Sequence, residues 1–270
     1  MKKYSPFISK IFEKYIKGFE HPMKQRIISN IHKKFNYKRI LSNTKFDFCM
    51  ALDLRDLVQK KIFFNGEWEA NLSLFINKEL KATDIFFDIG CNVGYFSLLA
   101  AKKNTEVFSF DPDPKNIEVL IQNCDINKLK NITPLNFGLG DKNENLQFFR
   151  SNIANNGQSG FINRNSTENF HIPVLTLDSL IYDQKTIPIP TFLKIDTEGW
   201  EEKILIGATH LLKTDPPRII IFESEFLGDQ SINDFDSIKA FLSQNNYTIV
   251  DTLEDEYGVN HVAHFNTKKS

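Results

Sequence analysis

Cysteine is scarce in this chain. Cys49, Cys91 and Cys124 are the whole complement in 270 residues, and no two of them have C-x-x-C spacing. Such an odd set argues against a disulfide framework and against a zinc site, and reads as reduced thiols. The six histidines are scattered without an H-x-x-x-H pair, so a His-based metal site is not expected. No stretch approaches the ~18 continuous apolar residues of a membrane span. The N-terminus has neither an apolar h-region nor a small-residue cleavage site. Together these absences lead to the expectation of a cytoplasmic protein.

Net charge is also nearly absent, at -1, but the total hides an asymmetry. Residues 1–40 carry eleven Lys/Arg against Glu13 and Glu20, a balance of +9 that leaves -10 on the remainder. In "FISKIFEKYIKGF" the apolar residues from Phe7 to Phe19 recur at helical steps, with lysines on the opposite face. That helix is expected to pack on its own domain or a second subunit. The alternative is peripheral contact with an anionic membrane surface, at the inner face, through residues 1–40. The acidic body argues against nucleic acid as a partner.

From Asp84 onward the pattern is regular. "IFFDIG", "EVFSFDPDP" and "NITPLNFGLGD" read as strands, separated by the helical stretches "GYFSLLAAKK" and "PKNIEVLIQNCDINKL". Residues 144–180 break this rhythm around a Gly/Asn/Ser-rich middle and read as an inserted hairpin. The alternation resumes with "TFLKIDTEG", "WEEKILIGATHLLK", "RIIIFESEF" and "DSIKAFLSQNNY", and ends on two strand-like pieces. The expected fold is α/β, a doubly wound, mostly parallel sheet. A basic, helical segment over 1–80 precedes the main domain at 81–270.

Ligands of such sheets bind beyond the carboxyl ends of the strands. That rule nominates Asp88–Gly94, Asp111–Pro112, Asn136–Gly138, Asp196–Gly199 and Glu223–Glu225. A dinucleotide fingerprint wants a third glycine for its pyrophosphate. "DIGCNVG" has only Gly90 and Gly94, with Cys91, Asn92 and Val93 between them, and adds Asp88 at the strand end. A carboxylate suits an amino group better than a diphosphate, which favours S-adenosylmethionine over NAD(P). Asp111 is the candidate for the ribose diol, and Asn136 and Gly138 for the adenine or for a simple turn. Asn92 either touches the cofactor or shapes the loop.

The blocks "FFDIGCNVGYFSLLAA", "FSFDPDPKNIEVLIQNCDIN", "PVLTLDSL" and "FLKIDTEGWEEKILIGA" occur in an order that resembles the FkbM family of S-adenosylmethionine-dependent methyltransferases. The likeness runs roughly from Gly66 to Phe226, and "LKIDTEGWE" is its most specific part. It implies a class I methyltransferase (Rossmann-like) fold and methylation of a hydroxyl oxygen on a sugar, glycan or natural-product-like acceptor. The family's cofactor positions fall on Asp88, Gly90, Asn92, Gly94 and Asp111, where Asp111 replaces the commoner glutamate. Cys91, Tyr95 and Pro112 complete the expected cofactor shell.

Methyl transfer to a hydroxyl needs positioning and somewhere for the proton to go. Asp196 is the first candidate for that general base and Glu198 the second. The same acids also make a good helix start. Lys194 is expected to pack or pair, and His171 to be a surface or strand histidine. Asp196 with Glu223 or Glu225 as Mg²⁺ ligands is a weaker alternative, so no metal is assigned. Trp68 and Glu69 either cover the methionine end of the cofactor or pack in the core. The Gln158–Gly160 turn is either a lid or a hairpin tip. Two competing functions stay open: an NAD(P)-linked oxidoreductase, and a non-catalytic cofactor-binding or membrane-surface protein.

Overall fold

The computed structural model describes residues 39–151, 159–163, 166, 168–224, 235–256 and 258–267. The expected N-terminal amphipathic helix, Gln158 and Glu225 lie outside the described residues.

The segment ahead of the main sheet departs from the helical expectation. It opens with an antiparallel hairpin of β1 (Ile40–Asn43) and β2 (Cys49–Leu52), followed by α1 (Leu57–Asn65) and α2 (Ala70–Glu79). Two asparagine side chains hold the outer edge of β2. Asn123 Oδ1 accepts from Ala51 N at 2.8 Å, and Asn127 Oδ1 accepts from Cys49 N at 2.8 Å. Side chains thus satisfy backbone donors that would otherwise be left at a sheet edge. The helix α1 starts on Asp56, whose carboxylate caps Gln59 N, and ends on Gly66 at φ 75°.

The main sheet has seven strands. They are β3 (Ile85–Ile89), β4 (Glu106–Phe110), β5 (Ile132–Leu135), β9 (Phe192–Ile195), β10 (Ile219–Ser224), β11 (Tyr247–Glu254) and β12 (Val259–Phe265). Their order is β11-β12-β10-β9-β3-β4-β5, parallel from β10 to β5, with β12 antiparallel to both of its neighbours. The helices α3 (Tyr95–Ala101) and α4 (Pro114–Asn127) connect β3, β4 and β5. The expected single helix after β9 is two, α5 (Glu201–Ile206) and α6 (Thr209–Thr214), broken at Gly207–Ala208. The helix α7 (Phe235–Gln244) precedes β11. This is the class I methyltransferase-like fold, with a central, mostly parallel sheet between helices.

Neighbouring residues of the central strands point to opposite sides, and both sides are covered by packed elements. Phe86, Phe192 and Ile221 join one core with the hairpin, α1, α2 and α3. Phe87, Leu193 and Ile220 join the other with α5, α6 and α7. Phe86 and Phe87 are both 0 % exposed, and each such burial contributes roughly 2–3 kcal/mol.

The expected insertion is a hairpin. β7 (Glu144–Arg150) and β8 (Glu168–Leu175) pair antiparallel, and the short β6 (Gly138–Leu139) joins β8 in parallel. "NITPLNFGLGD" is therefore not one strand: the chain leaves the main sheet at Asn136 and enters the small one at Gly138. The hairpin is fixed to the start of α4, where Arg150 Nε and Nη2 each donate to Asp113 at 2.6 Å. Asp113 also caps Lys115 N, and Pro114 fills the first helical position. Among the described residues no helix is long and apolar enough to cross a membrane.

Candidate active site

Successive connections from β3 run toward β4 and β5, whereas those from β9 run toward β10. The crevice where the connections diverge opens over the ends of β3 and β9. A cleft of about 220 Å³ lies there, lined from β3, β4, β6, β9, β10, the insertion and the segment Trp68–Glu69.

The first wall is the loop after β3. Gly90 stands at φ 77° and Asn92 at φ 50°, so both carry left-handed backbone. Gly90, Cys91, Asn92 and Tyr95 line the cleft, as does Pro112 from the next strand end. Asn92 N donates to Asp111 Oδ2 at 2.9 Å, and Asp113 N donates to Asp111 Oδ1 at 2.8 Å. Asn116 Nδ2 reaches both oxygens at 3.2 Å. Burial nevertheless raises the Asp111 carboxyl to about 7, with the neighbouring Asp113 adding to the rise.

Three expected cofactor residues stand behind this wall. Asp88 is 0 % exposed; its Oδ2 accepts from Ser97 Oγ at 2.5 Å and its Oδ1 lies 3.5 Å from Lys194 Nζ. The ammonium that Asp88 meets is the protein's own, so its role is to support the loop from below. Gly94 faces α4, where a Cβ would meet Leu120 Cδ1 at 2.3 Å. Asn136 is exposed and donates to the carbonyls of Asp111 and Pro112 at 2.9 and 3.1 Å, holding that loop rather than the cleft. Gly138 does line the cleft, against Phe137 and Phe161.

The second wall is carboxylic. Lys194, 1 % exposed on β9, donates to Asp196 Oδ2 at 2.9 Å. Burial alone would lower its ammonium, but Asp196 and Asp88 outweigh burial and raise it, so Lys194 is charged. Glu223, at the end of β10, lines the cleft with Asp196. Burial first, then Asp196, Glu198 and Glu69, push the Glu223 carboxyl far above the usual range. Glu69 rises to about 8, through burial and then the charge of Asp196. Its Oε2 is buried without a hydrogen-bond partner, and so are Asn92 Oδ1 and Trp200 Nε1.

The loop after β9 keeps its shape through Glu201, which is 0 % exposed. Its carboxylate accepts from Thr197 N at 2.7 Å, Thr197 Oγ1 at 2.9 Å and Gly199 N at 3.1 Å. This anchors Glu198, which stands at φ 58° between them and lines the cleft beside Asp196.

Sequence reasoning leaves Lys194 and Glu201 outside the site and names Glu223 as a strand-end position and as an alternative metal ligand. Among the described residues no group of three or more His, Cys, Asp or Glu is arranged to hold a metal ion. His171 belongs to β8, at an exposed position.

Chemically, the cleft offers one buried carboxyl at the end of β4 and a second set of carboxyls around Lys194. Ionising the second set fully would leave more carboxylates than cations, so it favours a cationic ligand or bound protons. The residues present therefore fit a sulfonium compound with an amino group and a ribose.

A hexuronic acid methyltransferase, AglP, of Haloferax volcanii is 29% identical over 147 residues, covering 54% of this chain and 59% of that protein. A structure of the methyltransferase FkbM from Methylobacillus flagellatus KT has 20% identity, covering 69% of this chain and 44% of that one, at a TM-score of 0.49. The tRNA m1G37 methyltransferase of M. jannaschii has 12% identity, covering 86% of this chain and 58% of that one, at a TM-score of 0.50. The chain thus spans less than two thirds of each of these relatives. The model of the methyltransferase FkbM domain matches residues 88–249, a stretch that holds the strand ends from β3 to β10. With more than half of its length inside that match, this chain belongs to the FkbM methyltransferase domain family.

Proposed function

We propose that this protein is an S-adenosylmethionine-dependent O-methyltransferase whose acceptor is a hydroxyl of a sugar or glycan-like molecule. The observation that carries this is the meeting, in one cleft, of Asp111 at the end of β4 with Asp196 at the end of β9. The name of the Haloferax relative, a hexuronic acid methyltransferase, supports the sugar class.

Bound S-adenosylmethionine would supply a methyl group on a positively charged sulfur. Asp111 would accept the ribose hydroxyls, held in place by Asn92 N, Asp113 N and Asn116. Phe137, Gly138 and Phe161 line the cleft and would receive the adenine. Glu69, which lines the cleft and whose buried Oε2 has no hydrogen-bond partner, would take the role first expected of Asp88 and meet the ammonium group. Asp196, fixed by Lys194, would take the acceptor's proton as that oxygen forms its bond to the methyl carbon. Holding the two reactants in line supplies much of the rate.

Calorimetry of the full chain with S-adenosylhomocysteine and with NADH, followed by detection of methyl transfer to a glycoside panel, tests the reading. Binding of the homocysteine compound alone is expected. A preference for NADH, or no binding of either, refutes it.

A further inference from the structure

Asn260, on β12, is 1 % exposed, yet neither its Oδ1 nor its Nδ2 has a hydrogen-bond partner. A buried amide in that state is costly, and such atoms in native proteins have a reason. Asn260 stands directly across from Glu223 in the antiparallel pairing of β12 with β10. Gly258, two residues earlier, faces the same way, since side chains alternate along extended chain. A Cβ at Gly258 would lie 2.4 Å from Glu223 Oε1 and 3.1 Å from Glu69 Oε1. The Asn260 amide is therefore directed at two carboxyls that line the cleft. It also pulls the Glu69 carboxyl down, against the rise that burial causes. Glu69 stands at φ 41°, a left-handed conformation that a residue with a side chain keeps only when its surroundings hold it. Its Oε2 is a third buried atom without a partner at this spot.

We infer that Asn260 is a positioning residue that gives the two carboxyls different tasks: its Nδ2 donates to an ionised Glu69, and its Oδ1 accepts from a protonated Glu223. This rests on the S-adenosylmethionine reading above and deepens it, because a bound ammonium ionises Glu69 and so completes the arrangement. Two carboxyls crowded into one poorly solvated place do not both ionise. Besides Asn260, the groups acting on Glu69 are Asp196 and Lys194 from β9, Asp255 from the β11–β12 turn, Glu223 from β10 and Tyr95 from α3. Only Lys194 among these is a cation, and it is already engaged by Asp196 and Asp88. A carboxamide offers a donor and an acceptor without adding a charge. A carboxylate at position 260 would add another acid, and an apolar residue would serve neither neighbour. The proton that Glu69 gives up passes to solvent, and that O–H is the one covalent bond that changes.

The test is calorimetry of the full chain with S-adenosylhomocysteine across a pH series, on the wild type, Asn260→Leu, Glu69→Gln and the double variant. Loss of the amide should move the acid limb of the affinity profile up by about one pH unit. Affinity at pH 7 then falls about tenfold, and the gap closes as the pH rises through the Glu69 midpoint. In the Glu69→Gln background, Asn260→Leu should shift nothing further. A merely structural role would instead weaken binding equally at every pH, with or without Glu69, and that result overturns the inference. A readout on the wild type guards against a variant that does not fold. With ¹⁵N-labelled asparagine, one side-chain amide resonance should titrate with the midpoint of Glu69 and cease to do so in Glu69→Gln. No such resonance overturns the inference too. Failure of the wild type to bind S-adenosylhomocysteine at any pH overturns the cofactor reading itself, so the two failures are distinct.

Discussion

Gly90 presses its backbone against the carbonyl oxygen of Asp196: a Cβ at Gly90 would lie 1.8 Å from that oxygen. The loop after β3 and the loop that carries Asp196 are therefore in direct backbone contact. Neither can move without the other, and the left-handed φ of 77° adds a second reason for glycine.

Gly90→Ala should accordingly damage both binding and stability. The clash is with backbone, which cannot rotate away, so a loss of about 2–4 kcal/mol is expected. Urea unfolding measures the loss, and calorimetry should show weakened S-adenosylhomocysteine binding. An unchanged midpoint would mean that the two loops are not in contact.

Lys194 neutralises two acids at once in a dry interior. Lys194→Met leaves Asp88 and Asp196 without their counter-ion and should cost about 3–5 kcal/mol. Adding Asp88→Asn to that variant should recover part of the loss, because the stranded charge is removed along with its partner. Equilibrium unfolding of the two single variants and the double variant gives the coupling. Additive losses would show that the pair does not interact.

Asp196→Asn keeps an acceptor for Lys194 but removes the base. Turnover should fall by about 10²–10⁴-fold while S-adenosylhomocysteine affinity changes little. Single-turnover assays and calorimetry separate the two effects. Turnover at the wild-type rate would eliminate the base assignment.

Glu69 supplies a pH signature. Burial lifts its carboxyl from 4.5 in the unfolded chain to about 8 in the fold. Between those values the native state holds a proton that the unfolded chain has released. Its contribution is therefore complete below about 4.5 and is lost as the pH rises through about 8. Thermal unfolding of the ligand-free protein at several pH values should show this slope, and Glu69→Gln should flatten it. Because a bound ammonium favours the ionised carboxyl, S-adenosylmethionine should release a proton near pH 7, seen as buffer-dependent heats of binding.

The strand–helix alternation from Ile85 onward was legible because strands buried on both faces are continuous apolar runs. "IFFDI" and "IIIF" announce themselves without any partner. The hairpin Ile40–Leu52 was not legible, since its outer edge is completed by Asn123 and Asn127, more than seventy residues away. In the site, Asp111 and Asp196 could be named from their place after predicted strands. The reassignment of Asp88 could not, because only the β3–β9 register of Asp88 with Lys194 brings that ammonium beneath the loop.

By itself the sequence determined the parallel sheet, the glycine turn after its first core strand and the row of acids at the strand ends. These follow from local periodicity and from where strands stop. Tertiary structure alone decided which acids face the cleft and which are spent on Lys194, Ser97 or a loop's own amides. A carboxylate's role depends on the cation, donor or vacancy within about 3 Å of it. Residues distant in the chain supply those neighbours, and here β3, β9 and β10 lie side by side only because the crossovers fold them so.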